Sequence, residues 1–353
     1  MNLDDPTSFI IIDPQNMLSL IDGLPSQLQT AWELGLNSEL PPWTGIRNVL
    51  IAGMGGSAIG ADLLAAYITP KCSIPLFVHR DYDLPAWVSG PDTLVIASSH
   101  SGNTEETLSA FETALARNCR CLAITTGGTL AQRAQQVKVP LWKFEHRGQP
   151  RAAVGYSFGL LLAALLHLHV TSDPSKEIGG ANLAMREQQK SLRANLPVMQ
   201  NPAKRIALQL VDHWVCVFGA GILAPVSRRW KGQISEIAKS WAQFEFLPEA
   251  DHNTLAGIIN PKKLHPSAIS LFLRSSSDHP RNQLRGELTE NAFKSEGLIT
   301  EIIDAEGATP LEQLWTCLHL GDYVAYYLAM AYGVDPTPVS AIESFKREMV
   351  AAG

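Results

Sequence analysis

Apolar residues recur along the chain in two alternating patterns, short continuous runs and longer stretches with helical spacing. In the first half the runs are NVLIAGM, PLFVH, TLVIAS, RCLAITT and VPLWKF, and helix-like segments such as SAIGADLLAAYI and TEETLSAFETALARN lie between them. Strands that are apolar throughout and alternate with helices are typical of a parallel sheet covered on both faces. We therefore predict an N-terminal helical arm at residues 1–45 and an α/β domain at residues 46–172, closed by an apolar helix from about Ala153 to His169.

The same alternation restarts in the second half of the chain. It follows the segment TSDPSKEIGGAN, whose Gly, Ser and Pro content is typical of a linker, and a polar helix, MREQQKSLRANL. The strands HWVCVFGAG, AISLFLRS and ITEIIDA then alternate with the helices LAPVSRRWKGQISEIAKSWA, NQLRGELTENAFKSEG and LEQLWTCLHLGDYVAYYLAMAYG. We predict a linker and connecting helix at residues 173–190 and a second domain with a C-terminal helix at residues 191–353. The predicted fold class is α/β, with two doubly wound parallel-sheet domains that have helices on both faces.

Composition narrows the class of protein. A hydrophobic content of 46%, a charged content of 18% and a net charge of -6 are typical of a soluble globular protein, and they argue against a nucleic-acid partner. The longest apolar run, GYSFGLLLAALLHLHV, falls short of a membrane span, and MNLDDPTSF lacks the pattern of a signal peptide. The five scattered cysteines indicate free thiols in a reducing compartment, so we expect a cytoplasmic protein.

A glycine-rich loop, GMGGSAIG, joins the first strand to the first helix of the first domain. Glycines at such a junction allow close approach of a ligand, and the N-terminus of the helix favours an anion. A dinucleotide site would need an acidic residue about 20 positions on; that offset falls in ITPKCSIP, and no acidic residue follows there until Asp81. A phosphate-binding loop of the nucleotide-hydrolase type is excluded by Ala61 and Asp62, which replace its lysine and hydroxyl residue. A tight turn without a ligand remains the alternative.

A second candidate loop, SSHSGNTEET, follows the strand TLVIAS. Ligands of open α/β sheets bind at the carboxyl ends of the strands, where both loops are expected to lie. Ser99, Ser101 and Thr104 offer hydroxyl groups to phosphate oxygens. Asn103 and Glu106 have the spacing of a helix capping box, which accounts for one polar group but not for the others. Together the loops predict a site for a compact phosphate ester.

These two loops and three later motifs, PRAAVGY, SEIAKSWAQFEFLPEADHN and PTPVSAIESFK, resemble the bifunctional phosphoglucose/phosphomannose isomerase family, whose members have two sugar isomerase domains. The resemblance extends from about residue 45 to the C-terminus. The chain departs from the family pattern at His100, where the family often has tyrosine, and at Ala61, where it often has glycine. Neither position supplies an obligatory hydrogen-bond donor.

The resemblance implies an aldose–ketose isomerase that interconverts glucose 6-phosphate or mannose 6-phosphate with fructose 6-phosphate through a cis-enediol. Isomerisation of this kind needs a base over C1 and C2, a group that opens the sugar ring, and stabilisation of the enediolate charge. By motif position, Glu236 is the base, His252 opens the ring, Arg151 stabilises the enediolate or contacts the substrate, and Lys346 contacts the ring. The residues implied for the phosphate are Gly56, Ser57, Ser99, Ser101 and Thr104.

The resemblance also implies a homodimer whose active site lies at the subunit interface, and it implies no cofactor and no metal. The histidines lack the His-x-x-x-His and HExxH groupings of metal sites, which argues against the zinc-dependent phosphomannose isomerases.

Two alternatives of other classes remain open at this point: a non-catalytic sugar-phosphate sensor and an NAD-dependent dehydrogenase. Without the resemblance, each catalytic candidate also has an ordinary explanation. Glu236 would pair with Lys239 at the surface, Arg151 would be exposed and pair with Glu145 or another acid, and His252 and Lys346 would be solvated.

Overall fold

The computed structural model describes residues 2–352, apart from the side chain of Val350. The strands are β1 (Asn48–Ala52), β2 (Leu76–His79), β3 (Thr93–Ser99), β4 (Arg120–Thr125), β5 (Leu141–Lys143), β6 (Trp214–Ala220), β7 (Ala242–Leu247), β8 (Ala268–Arg274) and β9 (Ile299–Asp304). The helices are α1 (Phe9–Ile12), α2 (Met17–Asp22), α3 (Leu24–Leu36), α4 (Gly55–Ile68), α5 (Glu105–Ala116), α6 (Gly128–Gln136), α7 (Val154–His167), α8 (Ser175–Leu192), α9 (Pro202–Leu210), α10 (Ala224–Ile237), α11 (Thr254–Gly257), α12 (Pro280–Ser295), α13 (Pro310–Tyr332) and α14 (Ser340–Ala352).

The strands form two sheets in which all pairs are parallel. Sheet A has the order β2-β1-β3-β4-β5, and sheet B has the order β7-β6-β8-β9. Helices connect the other successive strands of each sheet, whereas β2 and β3 are joined by a segment without a helix. The predicted fold class, two parallel-sheet α/β units with helices on both faces, is therefore confirmed.

The two sheets share one central helical layer. Val49 and Ile51 of sheet A and Val215 and Val217 of sheet B all belong to the same buried core, which also contains α4, α7, α10 and α13. The intervening residues face outward, because successive side chains of a strand point to opposite faces. On sheet A they pack against α5 and α6, and on sheet B against α12. The central layer holds the two sheets together by apolar burial.

The N-terminal helices belong to this central layer. As predicted, residues 1–45 are largely helical where described, but α3 packs along α7 and α8 and does not project as an arm. Leu28 and Trp32 of α3 are buried. The predicted domain boundaries themselves remain predictions.

Two elements of the second half differ from the predicted pattern. Helix α8 begins at Ser175, inside the segment for which a linker was predicted. Helix α10 ends at Ile237, whereas a helix was predicted through Ala242. Lys239 takes a left-handed backbone conformation with φ 56°, and the strand β7 then occupies part of the sequence predicted to be helical or loop.

Candidate active site

The two loops predicted to bind phosphate lie side by side. Strands β1 and β3 are adjacent and parallel, so the segments that follow them meet at one edge of sheet A. The Ser57 Oγ accepts a hydrogen bond from the His100 backbone N–H at 3.3 Å, which ties the start of α4 to the loop after β3. The structure therefore brings Ser57, Ser99 and Thr104 into one region of the molecule.

The N-terminus of α4 has no side-chain cap, and its glycines pack closely against the segment that carries Arg151. No side chain caps this helix, so the backbone N–H groups of its first turn have no side-chain acceptor. Gly55 has φ +50°, which favours glycine, and a Cβ atom at Gly56 would lie 2.6 Å from the Pro150 carbonyl oxygen. The glycines thus permit the backbone turn and the approach of the segment that carries Arg151. An uncapped helix N-terminus of this kind suits an anionic group.

The hydroxyl groups of the second loop first shape the loop itself. The Ser99 Oγ accepts a hydrogen bond from the Gly102 N–H at 3.1 Å and lies 3.0 Å from the Thr104 Oγ1. The Ser101 Oγ accepts from the Asn103 N–H at 3.2 Å, and Ser101 is exposed. These bonds leave each hydroxyl oxygen able to make a further contact, since a hydroxyl both donates and accepts.

The predicted capping box at Asn103 and Glu106 is wrong. The N-cap residue of α5 is Thr104, and no side chain bonds to the first turn of the helix. The Asn103 Oδ1 instead accepts hydrogen bonds from the Thr129 N–H at 2.9 Å and the Thr129 hydroxyl at 3.0 Å, at the start of α6. The N-terminus of α5 is therefore open as well.

A cleft of about 190 Å³ lies next to the α4 terminus and is bounded on the opposite side by α10. Its lining includes Gly55, Gly56, Ile59, Arg80, Arg151, Arg228, Arg229, Lys231, Gln233, Glu236 and Phe244. Of the described residues that line it, only Glu236 has an acidic side chain. The excess of basic groups makes the cleft suited to an anionic ligand.

Arg151 and Glu236 face each other in this cleft. Their closest atoms, Nη1 and Oε2, are 3.6 Å apart; the arginine side chain is 4% exposed and the glutamate side chain 34% exposed. The Arg151 Nη2 donates to the Pro336 carbonyl oxygen at 2.8 Å and to that of Thr337. Its Nε is buried without a partner among the described residues, and burial lowers the pKa of its guanidinium. An accessible carboxylate thus stands against a fixed, desolvated cation.

Lys239 does not make the surface ion pair considered for Glu236. Its Nζ donates to the backbone carbonyl oxygens of Glu236 at 2.6 Å and Ile237 at 3.3 Å, at the C-terminal end of α10. Burial, with the charge of Arg151 as a second cause, lowers the pKa of Lys239 to about 8. Arg151 likewise pairs with Glu236 and not with Glu145, the partner considered for it from the sequence.

His252 and Lys346 lie outside the cleft of their own chain. His252 is exposed on a turn, Glu249–His252, and has no hydrogen-bond partner among the described residues. The preceding Asp251 holds this turn on α12 through Arg285 at 2.9 Å and Thr289 at 2.7 Å. Lys346 is exposed on α14. One chain therefore brings Arg151, Glu236 and Gly56 together in the cleft, but not these two residues, and Ser57, Ser99, Ser101 and Thr104 do not line the cleft either.

The His100 side chain packs away from the cleft. Its Nε2 lies 3.0 Å from the Nδ1 of His146, and its ring packs edge-on against Phe144. Burial, followed by the neighbouring His146, lowers the pKa of His100 to about 4, and burial also lowers the pKa of His146. The pair is therefore neutral near neutral pH, and it supplies no charge to the phosphate loops.

Several residues in and beside the cleft were not predicted from the sequence, among them Asp62, which lies beside the cleft without lining it. Asp62 accepts hydrogen bonds from Arg80 and, at 2.7 Å, from Arg228 of α10, so it joins the two halves of the cleft. The Arg228 guanidinium also stacks 5.0 Å from the ring centroid of Phe244. Gln233 lies on the same face of α10 as Glu236, three positions earlier. The three-residue spacing from Glu236 was the one sequence signal that could have indicated Gln233. Asp62 gave no such signal, because its contacts are with residues distant in sequence.

The second half repeats the glycine loop with a different occupant. Ala220 (φ -120°, ψ 162°) and Gly221 (φ +48°) have nearly the backbone angles of Met54 (φ -126°, ψ 162°) and Gly55 (φ +50°). Here the carboxylate of Asp278, which follows β8, packs against Gly221, and its Oδ1 is buried without a hydrogen-bond partner among the described residues. Burial raises the pKa of Asp278 to about 6. This loop is therefore filled by the chain's own side chain.

No helix among residues 2–352 has the length and apolar character needed to cross a membrane. In the same range, no three His, Cys, Asp or Glu side chains are grouped closely enough to bind a metal ion. All five cysteines are free thiols.

Comparison with known proteins identifies the family. Residues 44–167 match the family model described as SIS domain, and residues 199–349 match the model described as bacterial phospho-glucose isomerase C-terminal SIS domain. A bifunctional phosphoglucose/phosphomannose isomerase from Caldicellulosiruptor bescii is 38% identical over 337 residues, which cover 94% of this chain and 98% of that protein. The chain belongs to the bifunctional phosphoglucose/phosphomannose isomerase family.

Two further comparisons are consistent with this family assignment. The bifunctional phosphoglucose/phosphomannose isomerase of Aquifex aeolicus is 33% identical over 336 residues, 95% of this chain and 98% of that protein. The crystal structure of a glucose-6-phosphate isomerase like protein from Thermus thermophilus superposes with a TM-score of 0.64 at 18% identity, covering 96% of this chain and 98% of that one. The relatives from Caldicellulosiruptor bescii and Aquifex aeolicus support the family assignment, and the Thermus thermophilus structure shows the shared fold.

Proposed function

We propose that this protein interconverts glucose 6-phosphate and mannose 6-phosphate with fructose 6-phosphate through a cis-enediol, with Glu236 as the base. One observation carries the proposal most directly. In a chain of this isomerase family, an accessible carboxylate, Glu236, faces the buried guanidinium of Arg151 at 3.6 Å in a cleft that adjoins an uncapped helix N-terminus.

The proposed phosphate position is at the start of α4 and the loop after β3. The backbone N–H of Gly56, together with the hydroxyls of Ser57, Ser99, Ser101 and Thr104, is suited to hold its oxygens. With the phosphate placed there, the other end of the sugar extends along the cleft towards α10. The carboxylate of Glu236 then has access to the protons on C1 and C2.

In the proposed reaction Glu236 removes the proton from C2 of the aldose and returns it to C1, and the reverse reaction follows the same route. Negative charge develops on the oxygens at C1 and C2, and Arg151 is the proposed cation that stabilises it. Its fixed position supports this role, because a group that is already oriented needs no rearrangement as charge forms. If the enediol rotates about its C2–C3 bond in the site, it presents either face of C2 to Glu236, and one glutamate can then serve both aldoses.

A homodimer is proposed to complete the site. His252 and Lys346 are exposed and do not line the cleft of their own chain, so we propose that ring opening uses His252 of a second subunit. Exposed apolar side chains on two surfaces support association: Ile342, Phe345 and Met349 lie on one face of α14, and Trp214, Trp241 and Leu264 surround an apolar depression on the second half. We propose a cytoplasmic enzyme that uses neither cofactor nor metal.

The first prediction concerns Glu236→Gln. We expect this substitution to remove isomerisation of both aldose 6-phosphates, because the amide cannot accept the proton, while sugar-phosphate binding is retained. Conversion to fructose 6-phosphate is measured after chelator treatment, deuterium incorporation at C1 or C2 is followed in D₂O, and binding is measured by calorimetry.

Glu187→Gln, at an exposed glutamate of α8, is the matched control and should retain full activity. If Glu236→Gln still exchanges deuterium at the wild-type rate, Glu236 is not the base. If the wild-type protein binds hexose 6-phosphates and neither converts them nor exchanges deuterium, the protein is a sensor and the proposed function is wrong.

A further inference from the structure

Gln233 is a buried polar residue in the cleft whose side chain is held in one orientation. It is 3% exposed and lies one helical turn before Glu236, on the same face of α10. Its Nε2 donates a hydrogen bond to the Asp322 Oδ1 of α13 at 2.9 Å. The residue therefore spans from a buried ion pair to the cleft.

The surroundings of Asp322 determine which end of the amide faces the cleft. Arg229 donates to both oxygens of Asp322, at 3.1 Å and 2.8 Å. A carboxylate paired in this way can only accept further hydrogen bonds, so Gln233 must present its NH₂ group to it. The Gln233 Oε1 is thereby turned away from α13. Among the described residues nothing donates to this oxygen, and it retains access to solvent.

A buried acceptor that is fixed and unpaired requires a donor when the cleft is filled. The neighbouring groups of the cleft are mainly cations that already have partners, such as Arg228 on Asp62 and Arg229 on Asp322. A sugar hydroxyl is a donor of the right kind. Gln233 lies close to Glu236, which is proposed to act at C1 and C2, and the phosphate on C6 is proposed to lie at α4. The hydroxyls on C3 and C4 lie between these ends in both the ring and the open-chain form, whereas the C5 oxygen is part of the ring until the ring opens.

We propose that the Gln233 Oε1 accepts a hydrogen bond from the C3 or C4 hydroxyl of the substrate and thereby fixes the position of C2 over Glu236. Gln233 is in this view a substrate-binding and specificity residue, and Asp322 and Arg229 are the residues that orient it. The inference rests on the proposed function, because it places the substrate by the roles of Glu236 and the phosphate loops.

The experiment compares wild type and Gln233→Met on glucose 6-phosphate and on its 3-deoxy and 4-deoxy analogues. Methionine keeps the length of the side chain and removes the acceptor. We expect wild type to lose about 10-fold in kcat/KM on one of the two analogues, since a site built to hold a hydroxyl leaves its acceptor unpaired when the hydroxyl is missing. Gln233→Met should lose about 10-fold on glucose 6-phosphate and show no further loss on that same analogue.

This pattern distinguishes a substrate contact from a merely structural role, which would lower activity on all three sugars equally. Gln135→Met, at an exposed glutamine of α6, is the matched control and should retain the wild-type discrimination. Thermal unfolding checks that the variants are folded, and Gln233→Leu replaces the methionine variant if that one is too unstable to assay.

Two results would overturn the inference. If a variant of Gln233 discriminates against both analogues as wild type does, the residue contacts neither hydroxyl, while the proposed function stands. If wild type itself fails to isomerise glucose 6-phosphate and mannose 6-phosphate, the proposed function and the inference fail together.

Discussion

Arg151 connects the proposed reaction centre to the segment that leads into the last helix. One nitrogen of its guanidinium, Nη2, is used by the carbonyl oxygens of Pro336 and Thr337, and another, Nη1, faces Glu236. The planar guanidinium offers donors in several fixed directions, whereas a lysine ammonium is a single point charge. The residue type is therefore suited to hold a backbone segment and stabilise charge at the same time.

Arg151→Lys should separate these two roles. The ammonium cannot reach both the carbonyl oxygens and the substrate, so we expect kcat to fall about 100-fold, the usual scale for loss of a donor to a developing oxyanion. Steady-state kinetics and the melting temperature are measured in parallel, and Arg133→Lys, at a partly exposed arginine of α6 that pairs with Glu112, controls for the exchange of residue type. A kcat within about threefold of wild type would show that Arg151 has a structural role only.

For individual residues, the sequence predicted which side chains belong to the candidate site better than it predicted the partners that they contact. Motif positions indicated Arg151 and Glu236, and the structure brings them together. The capping box at Asn103 was wrong because Thr129, distant in sequence, takes the same side-chain oxygen. Asp62 was used only to exclude a nucleotide loop, since its contacts with Arg80 and Arg228 depend on how the two halves pack.

Among the elements, the parallel strands and buried helices followed most directly from the pattern. Continuous apolar runs predicted β3, β6 and β8, all of which are almost fully buried. Strand β7 was missed because Gln243 and Glu245 interrupt its apolar residues and because the turn before it is made by a lysine with positive φ, which has no sequence signal comparable to glycine.

Helix α14 is the element on which the proposed dimer can be tested. Ile342, Phe345 and Met349 are 42%, 62% and 47% exposed on one face of this helix, which also carries Lys346. An apolar stripe of this kind is buried in most stable proteins, so we expect it to pack against a second subunit.

Phe345→Ser should weaken the dimer and make activity depend on protein concentration. The molar mass is measured by light scattering after size-exclusion chromatography, and specific activity is followed over a dilution series. Leu183→Ser, at an exposed leucine of α8 that is 69% accessible, is the control and should leave both properties unchanged. A wild-type protein that is monomeric and fully active at high dilution would contradict the proposed shared site.

At the scale of the whole molecule, one continuous core joins the two sheets, and each half has a glycine loop beside it. In the second half the loop holds Asp278, whose pKa burial raises from 3.8 to about 6. The folded protein therefore binds a proton at this group more tightly than the unfolded chain does. The contribution of this group to the free energy of unfolding is largest below about pH 4 and is lost as the pH rises through about 6.

Asp278→Asn should remove this pH dependence. Because one pH unit of pKa difference corresponds to about 1.4 kcal/mol, the free energy of unfolding of wild type relative to the variant should fall by up to ~3 kcal/mol between about pH 4 and about pH 7. Urea unfolding at several pH values measures it, with Asp83→Asn at an exposed aspartate as the control for loss of a carboxylate. A difference that is constant with pH, or one that grows in favour of wild type, would contradict the assignment.

The two glycine loops should differ in whether their rigidity depends on bound substrate. The carboxylate of Asp278 is part of the chain and cannot dissociate. The second loop therefore stays filled by this side chain at any concentration of sugar phosphate. The loop before α4 has no such internal partner among residues 2–352, and in the proposed function the substrate phosphate supplies one. Substrate should accordingly rigidify one half of the molecule while the other half, which carries the proposed base, is already ordered before binding.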